Sequence, residues 1–260
     1  MVQATPMTWP RLMLIALVAA PALAGVAPLA WAAEDADYRA CMELARRDGR
    51  AGLEAALSMG GSVPALHCRA VALLEMGRAE EAASLLERLA YTRPQPPALQ
   101  AELLAQAGHA WLSAGAAASA RAALSAAIGI NPNDPELFID RGQALIEMGD
   151  DWAAVDDFDR ALELDPRRLD ALLLRAGAYY RLDALDLAME DANRAVALAP
   201  VNIDARIERS AIREKKADRA GAREDLLTVL RLAPDSPAAI IARAALERLD
   251  VRQPTAAPRR

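Results

Sequence analysis

Four prolines, Pro132, Pro166, Pro200 and Pro234, stand at an unbroken interval of 34 residues. One irregular globular core does not generate such an interval. It marks a small structural unit copied along the chain, each copy burying its apolar face against its neighbours. The problem then reduces to which positions hold a unit together and which stay free.

With the proline set at position 32, four units begin at Ala101, Pro135, Leu169 and Ile203. Position 20 is Ala120, Ala154, Ala188 and Ala222; position 8 is Gly108, Gly142, Ala176 and Ser210; position 27 is Ala127, Ala161, Ala195 and Val229. Larger residues recur at position 4 (Leu104, Phe138, Leu172), position 11 (Trp111, Leu145, Tyr179) and position 24 (Leu124, Phe158, Leu226). These spacings follow a period of 3.6 on two successive segments. Small residues let two helices approach, and the large ones fill the space beside the contact. Gly115 and Gly149 fall where the first helix must turn, and the proline stops the second.

The pattern resembles the tetratricopeptide repeat, a 34-residue helix–turn–helix unit, and Pro135–Arg168 matches nearly every signature position. The resemblance implies an all-α fold, a right-handed superhelical solenoid. A fifth unit fits from Val63, with Leu66, Ala70, Leu73, Gly77, Ala82, Leu86 and Pro94 in register. It departs at position 27, where Leu89 is large, and about four residues are inserted between Gln95 and Leu99. The expected organisation is a degenerate helix hairpin over 34–62, then five repeats (63–96, 101–134, 135–168, 169–202 and 203–236). A capping helix over 237–250 and a disordered tail over 251–260 complete it. The last repeat departs most, with Arg206 and Arg213 at positions 4 and 11. Either it is a looser unit or these arginines lay their stems on the core.

Residues 1–33 read as a cleaved secretory leader: Arg11 as the positive region, an apolar run from Leu12 to Ala30, and Ala30-Trp31-Ala32 as the peptidase site. The run is nearly long enough to span a membrane, but Pro21, Gly25, Pro28 and its small-residue ending favour cleavage. No membrane insertion is expected after cleavage. Lys215 and Lys216 are the only lysines among 30 basic residues, which points to a GC-rich bacterial genome. The expected destination is the periplasm. In that oxidising compartment Cys41 and Cys68 read first as a disulfide, ahead of two buried thiols. A metal site is disfavoured because only His67 and His109 could join them. With Arg11 set aside, 36 acidic residues face 29 basic ones, which argues against nucleic-acid binding.

Positions 7 and 23 covary within the chain: Arg141 with Asp157, Arg175 with Asp191, Arg209 with Asp225, and Ala107 with Ala123. This reads as a structural ion pair between the two helices of a repeat, in preference to an arginine ladder for acidic ligands. Arg69 faces Leu85 and breaks the rule.

At 100° per residue, positions 2, 6, 9 and 13 lie opposite the packed face of each first helix, with 5 and 12 on the flanks. The tetratricopeptide resemblance implies that these positions line a concave groove that meets a partner. The expected groove residues are His109, Leu112, Ile139, Asp140, Gln143, Glu147, Leu174, Tyr180, Arg181 and Glu208. Glu102, Glu136, Asp170 and Asp204 share position 2, where a carboxylate complements a helix N-terminus. Discounting them leaves a mild acidic sector centred on Asp140 and Glu147, flanked by Ile146, Leu173 and Ile207. An aliphatic or aromatic anchor beside a basic residue would suit it. The cationic clamp with which some tetratricopeptide proteins hold a C-terminal carboxylate is missing.

No nucleophile or placed base accompanies His109, Asp156 and Asp157 point apart, and no phosphate loop or zinc spacing occurs. The sequence therefore reads as a non-enzyme without cofactors. It is expected to be an exported scaffold that binds another envelope protein or peptide. A self-associating envelope protein is the alternative, and a small-ligand receptor a weaker third.

Overall fold

The structure, a computed structural model, describes residues 36–92 and 94–251. The expected leader and nearly all of the expected tail lie outside these residues. The described residues form thirteen α-helices and no strand: α1 (Ala36–Arg47), α2 (Gly49–Ser58), α3 (Val63–Glu75), α4 (Ala79–Thr92), α5 (Pro97–Ser113), α6 (Ala117–Ile130), α7 (Pro135–Met148), α8 (Asp151–Leu164), α9 (Leu169–Arg181), α10 (Leu185–Leu198), α11 (Ile203–Lys215), α12 (Arg219–Leu232) and α13 (Pro237–Val251). Each helix packs on the next, so the molecule is a helical-repeat superhelix.

Position by position, the repeat explains the hairpin. Ala120, Ala154, Ala188 and Ala222 are fully buried, as are Ala127, Ala161, Ala195 and Val229. At position 8 the close approach leaves no room for a side chain: a Cβ on Gly142 would stand 2.4 Å from the Phe158 ring. Phe158 and Leu124 are themselves fully buried, each contributing about 1.5–3 kcal/mol on transfer from water.

Position 15 ends the first helix in left-handed backbone in all five repeats. Gly77, Gly115 and Gly149 adopt it with φ of 72°, 71° and 80°, while Asp183 and Ala217 adopt it at 61° and 65° against the preference of their Cβ. The turn is enforced by a bond from the next N–H to the carbonyl five residues back, as in Asp150 to Leu145 and Asp218 to Arg213, both near 2.8–2.9 Å.

The position 7–23 pairs form, and each is a two-pronged bridge. Arg141 Nη2 lies 2.6 Å from Asp157 Oδ1 with Nε 2.8 Å from Oδ2, and Arg175–Asp191 and Arg209–Asp225 repeat the geometry. Each arginine also reaches back to position 25 of the preceding repeat: Ser125 for Arg141, Asp159 for Arg175 and Asn193 for Arg209. One guanidinium thus ties three helices, so the pair links repeats as well as closing a hairpin. Arg69, which lacks such a partner, leaves its Nε buried without a hydrogen bond.

Cys41 and Cys68 form a disulfide that joins α1 to α3, with Cα atoms 6.2 Å apart. Beside it, fully buried His67 is held between Tyr38 and Gln106. Gln106 Oε1 can only accept, so His67 Nε2 carries the proton and Nδ1 accepts from the Tyr38 hydroxyl. Gln106 then donates to Glu102 at 3.3 Å. Burial holds the His67 pKa below its usual value and pushes Tyr38 up to about 12, so both stay neutral in this chain of donors.

Candidate functional site

The inserted residues after Pro94 lengthen α5 by a turn, to 17 residues against 13 or 14 for the other first helices of the repeats. Glu102 is therefore deep within its helix, and its carboxylate does not serve the N-terminus, contrary to the expectation for position 2. It faces a concave pocket of about 800 Å³ walled chiefly by α3, α5 and α7, with Ala79 and Leu86 of α4 between them. Leu74, Leu86, Ala98, Ala105 and Leu137 supply apolar wall, and Ala98 comes from the added turn. Five carboxylates, Glu75, Glu102, Asp134, Glu136 and Asp140, share the lining with His109, Gln106 and Ser113, without a lysine or arginine. The carboxylates of the pocket thus extend from the repeat 63–96 to the repeat 135–168, with Asp140 among them and Glu147 outside.

Of the expected groove residues, the pocket gathers His109 and Asp140. Asp140 is buried and bonded to the half-exposed His109 ring, so it is no free charge. Burial draws the His109 pKa down, but the Asp140 bond and charge, with Glu136 behind, outweigh it and the net shift is upward. Ile139 requires a correction: only 1% exposed, it lies in the core with Leu172 and Leu173, unavailable to a partner. Ile146, Leu173 and Ile207 are buried too, because the next first helix in the superhelix covers positions 5 and 12. Leu112 and Leu174 are partly buried against the core, Gln143 is intermediate and Glu147 exposed. Arg181 pairs with Asp151 at 3.1 Å across a repeat boundary. Tyr180 lies under the Lys215 ammonium, 4.3 Å from ring centroid to nitrogen.

Glu208 stands apart. Half-buried on α11 and facing Gly177, it has no hydrogen-bond or ion-pair partner among the described residues, and burial lifts its pKa to about 7. A carboxyl raised above its unfolded value contributes stability that is complete below about pH 4.5 and is lost as pH rises through 7. Discounted for its partial exposure, the loss is about 1–2 kcal/mol. Glu208→Gln should therefore match the parent chain near pH 4 and melt higher at pH 8, as followed by circular dichroism across that range.

Comparison with known proteins agrees with the helical-repeat fold. Residues 135–168 match the tetratricopeptide repeat family model. Among solved structures, the thermophilic tetratricopeptide protein TTC0263 of Thermus thermophilus aligns with a TM-score of 0.57 at 20% identity, over 72% of this chain and all of that one. MamA (residues 41 to the end) from Desulfovibrio magneticus RS-1 gives 0.57 at 19%, over 78% of this chain and 98% of that one. YrrB, described as a tetratricopeptide protein with an unusual peptide-binding site, gives 0.54 at 18%, over 74% and 97%. No match is found among curated proteins. The chain is an all-α helical-repeat solenoid carrying a tetratricopeptide repeat at 135–168.

Proposed function

We infer that this protein is an exported interaction scaffold that holds a partner protein or peptide in its concave groove. The observation that carries the reading is the pocket between α3, α5 and α7, with its apolar walls, its carboxylates and its lack of basic lining. It favours a segment that offers an aliphatic or aromatic anchor beside a lysine or arginine. Neighbours of the same fold include a peptide binder, which is consistent with this use. Among the described residues no group of histidine, cysteine and carboxylate side chains could hold a metal ion, and no helix is long and apolar enough to cross a membrane. The periplasmic destination rests on the leader pattern of residues 1–33 and on the disulfide.

The test is capture of a partner from the periplasm by the leaderless chain, followed by affinity measurement against that partner. Glu75→Lys with Ser113→Lys puts positive charge at two exposed lining positions, while Glu136 is kept because it pairs with Arg168 at 2.6 Å across the repeat boundary. Partner affinity should fall at least tenfold, and unchanged capture would remove the groove assignment. Light scattering addresses the self-associating alternative, which a stable monomer contradicts.

A further inference from the structure

The arginine ladder has one gap. In the repeat 101–134 the arginine of position 7 is Ala107 and the aspartate of position 23 is Ala123, both buried. The preceding repeat nevertheless supplies Glu87 at position 25, the place held by Asp159 and Asn193 where Arg175 and Arg209 reach back. An open notch of about 490 Å³ results between α4 and α6, lined by Glu87, Tyr91, Thr92, Leu104, the alanines 122, 123 and 126, and Arg88, whose side chain is exposed to solvent. Two repeats further on, the same cleft contains Arg175 and measures about 370 Å³, with Glu190, Asp191 and Arg194 where those alanines stand. The two clefts therefore compare one site with and without its guanidinium.

The position 23 carboxylate that takes both prongs in the intact rungs is gone, but the position 25 anchor and the position 11 ring remain. Glu87 is half-buried and has no ion pair among the described residues; it receives only the Trp111 indole N–H, at 3.0 Å on Oε1. Trp111 occupies the position of Tyr179, over whose ring the Arg175 guanidinium lies at 5.9 Å. Tyr91 adds a second ring that is 61% exposed at the rim. Exposed Ala122 and Ala118 on α6 leave room for a backbone to come close. Leu104 stands about 200° around α5 from Glu102, so this face looks away from the concave pocket.

We propose that the notch between α4 and α6 is a docking site for an arginine side chain presented by a partner protein, on the face opposite the groove. The stem would lie on the alanine floor, and the guanidinium would pair with the open oxygen of Glu87. A lysine would reach the charge but lacks the planar fork that the intact rungs use. The site is independent of the groove, so failure of either reading leaves the other standing.

The experiment is an NMR titration of the protein with the tripeptide acetyl-Ala-Arg-Ala-amide and with its lysine counterpart. Saturable shifts at Ala122, Ala123 and Ala126 are expected with the arginine peptide, and at least tenfold weaker binding with lysine. Glu87→Gln should weaken the arginine peptide tenfold or more. Ala107→Arg with Ala123→Asp restores the missing rung and should abolish binding. Absent shifts, equal binding of both peptides, or binding that survives either variant would overturn the proposal. So would self-association that is lost on restoring the rung, since the occupant would then be a second copy.

Discussion

Asp225→Ala should detach the last repeat from the rest of the stack. The Asp225 carboxylate is fully buried and bonded to three guanidinium groups: Arg209 at 2.6 and 2.9 Å, Arg213 at 2.8 Å and Arg206 at 3.2 Å. These are the two arginines at positions 4 and 11 of the repeat, together with the ordinary position 7 arginine. They pack as charged replacements for apolar residues because one buried anion accepts from all three. Truncating it leaves three mutually repelling cations, each less than a fifth exposed, around an empty centre. Removal of one partner from a buried ionic cluster typically costs about 3–5 kcal/mol. In a solenoid that loss falls on the nearest interfaces, so hydrogen exchange should show α11, α12 and α13 deprotected ahead of α5 to α8. Asp157→Ala is the control. Its carboxylate serves one guanidinium that is a quarter exposed, and its loss should cost about 1–2 kcal/mol. Equal costs at the two aspartates would refute this account of the last repeat.

The scaffold was legible because the same side chain recurs every 34 residues wherever two helices touch, and recurrence is visible without coordinates. The pairs Arg141–Asp157, Arg175–Asp191 and Arg209–Asp225 could be read in this way. Their third anchor escaped because it lies in the previous unit, at 16 residues before the arginine instead of 16 after it, and alternates among serine, aspartate and asparagine. The left-handed turns at Asp183 and Ala217 escaped for the opposite reason, since neither residue announces that backbone as glycine does.

The groove was less legible. A helical wheel gives the direction of a side chain from its own axis but not the position of the next helix. Ile139 and Ile207 therefore appeared as flanks while belonging to the core. Asp140 looked like a free charge because its partner, His109, is 31 residues away on another first helix. The pocket itself depends on the extra turn of α5, whose only sequence trace is the four-residue break in register after Pro94.

Replacing Cys41 and Cys68 together by alanine should destabilise the N-terminal end by about 3–4 kcal/mol, the loop-closure contribution for a sequence separation of 27 residues. Both sulfurs are fully buried, so alanine avoids the unsatisfied hydroxyl that serine would introduce. Apart from the backbone itself, the disulfide is the covalent cross-link between the opening hairpin and the repeats, and Tyr38 is the hairpin residue that supplies a donor to His67. With the tie removed, α1 and α2 should fray as a unit and leave His67 Nδ1 to water. The imidazole reports the event directly. In the intact protein its pKa is held down by burial, so the stability it contributes is present above about 6.5 and is lost as pH falls toward its folded value. In the double alanine variant the His67 resonances should titrate closer to 6.5, while those of His109, raised by Asp140, should not move. Because the chain contains two histidines, the two titrations can be followed in one spectrum. An unchanged His67 titration together with an unchanged denaturation midpoint would show that α1 and α2 hold their place by packing alone.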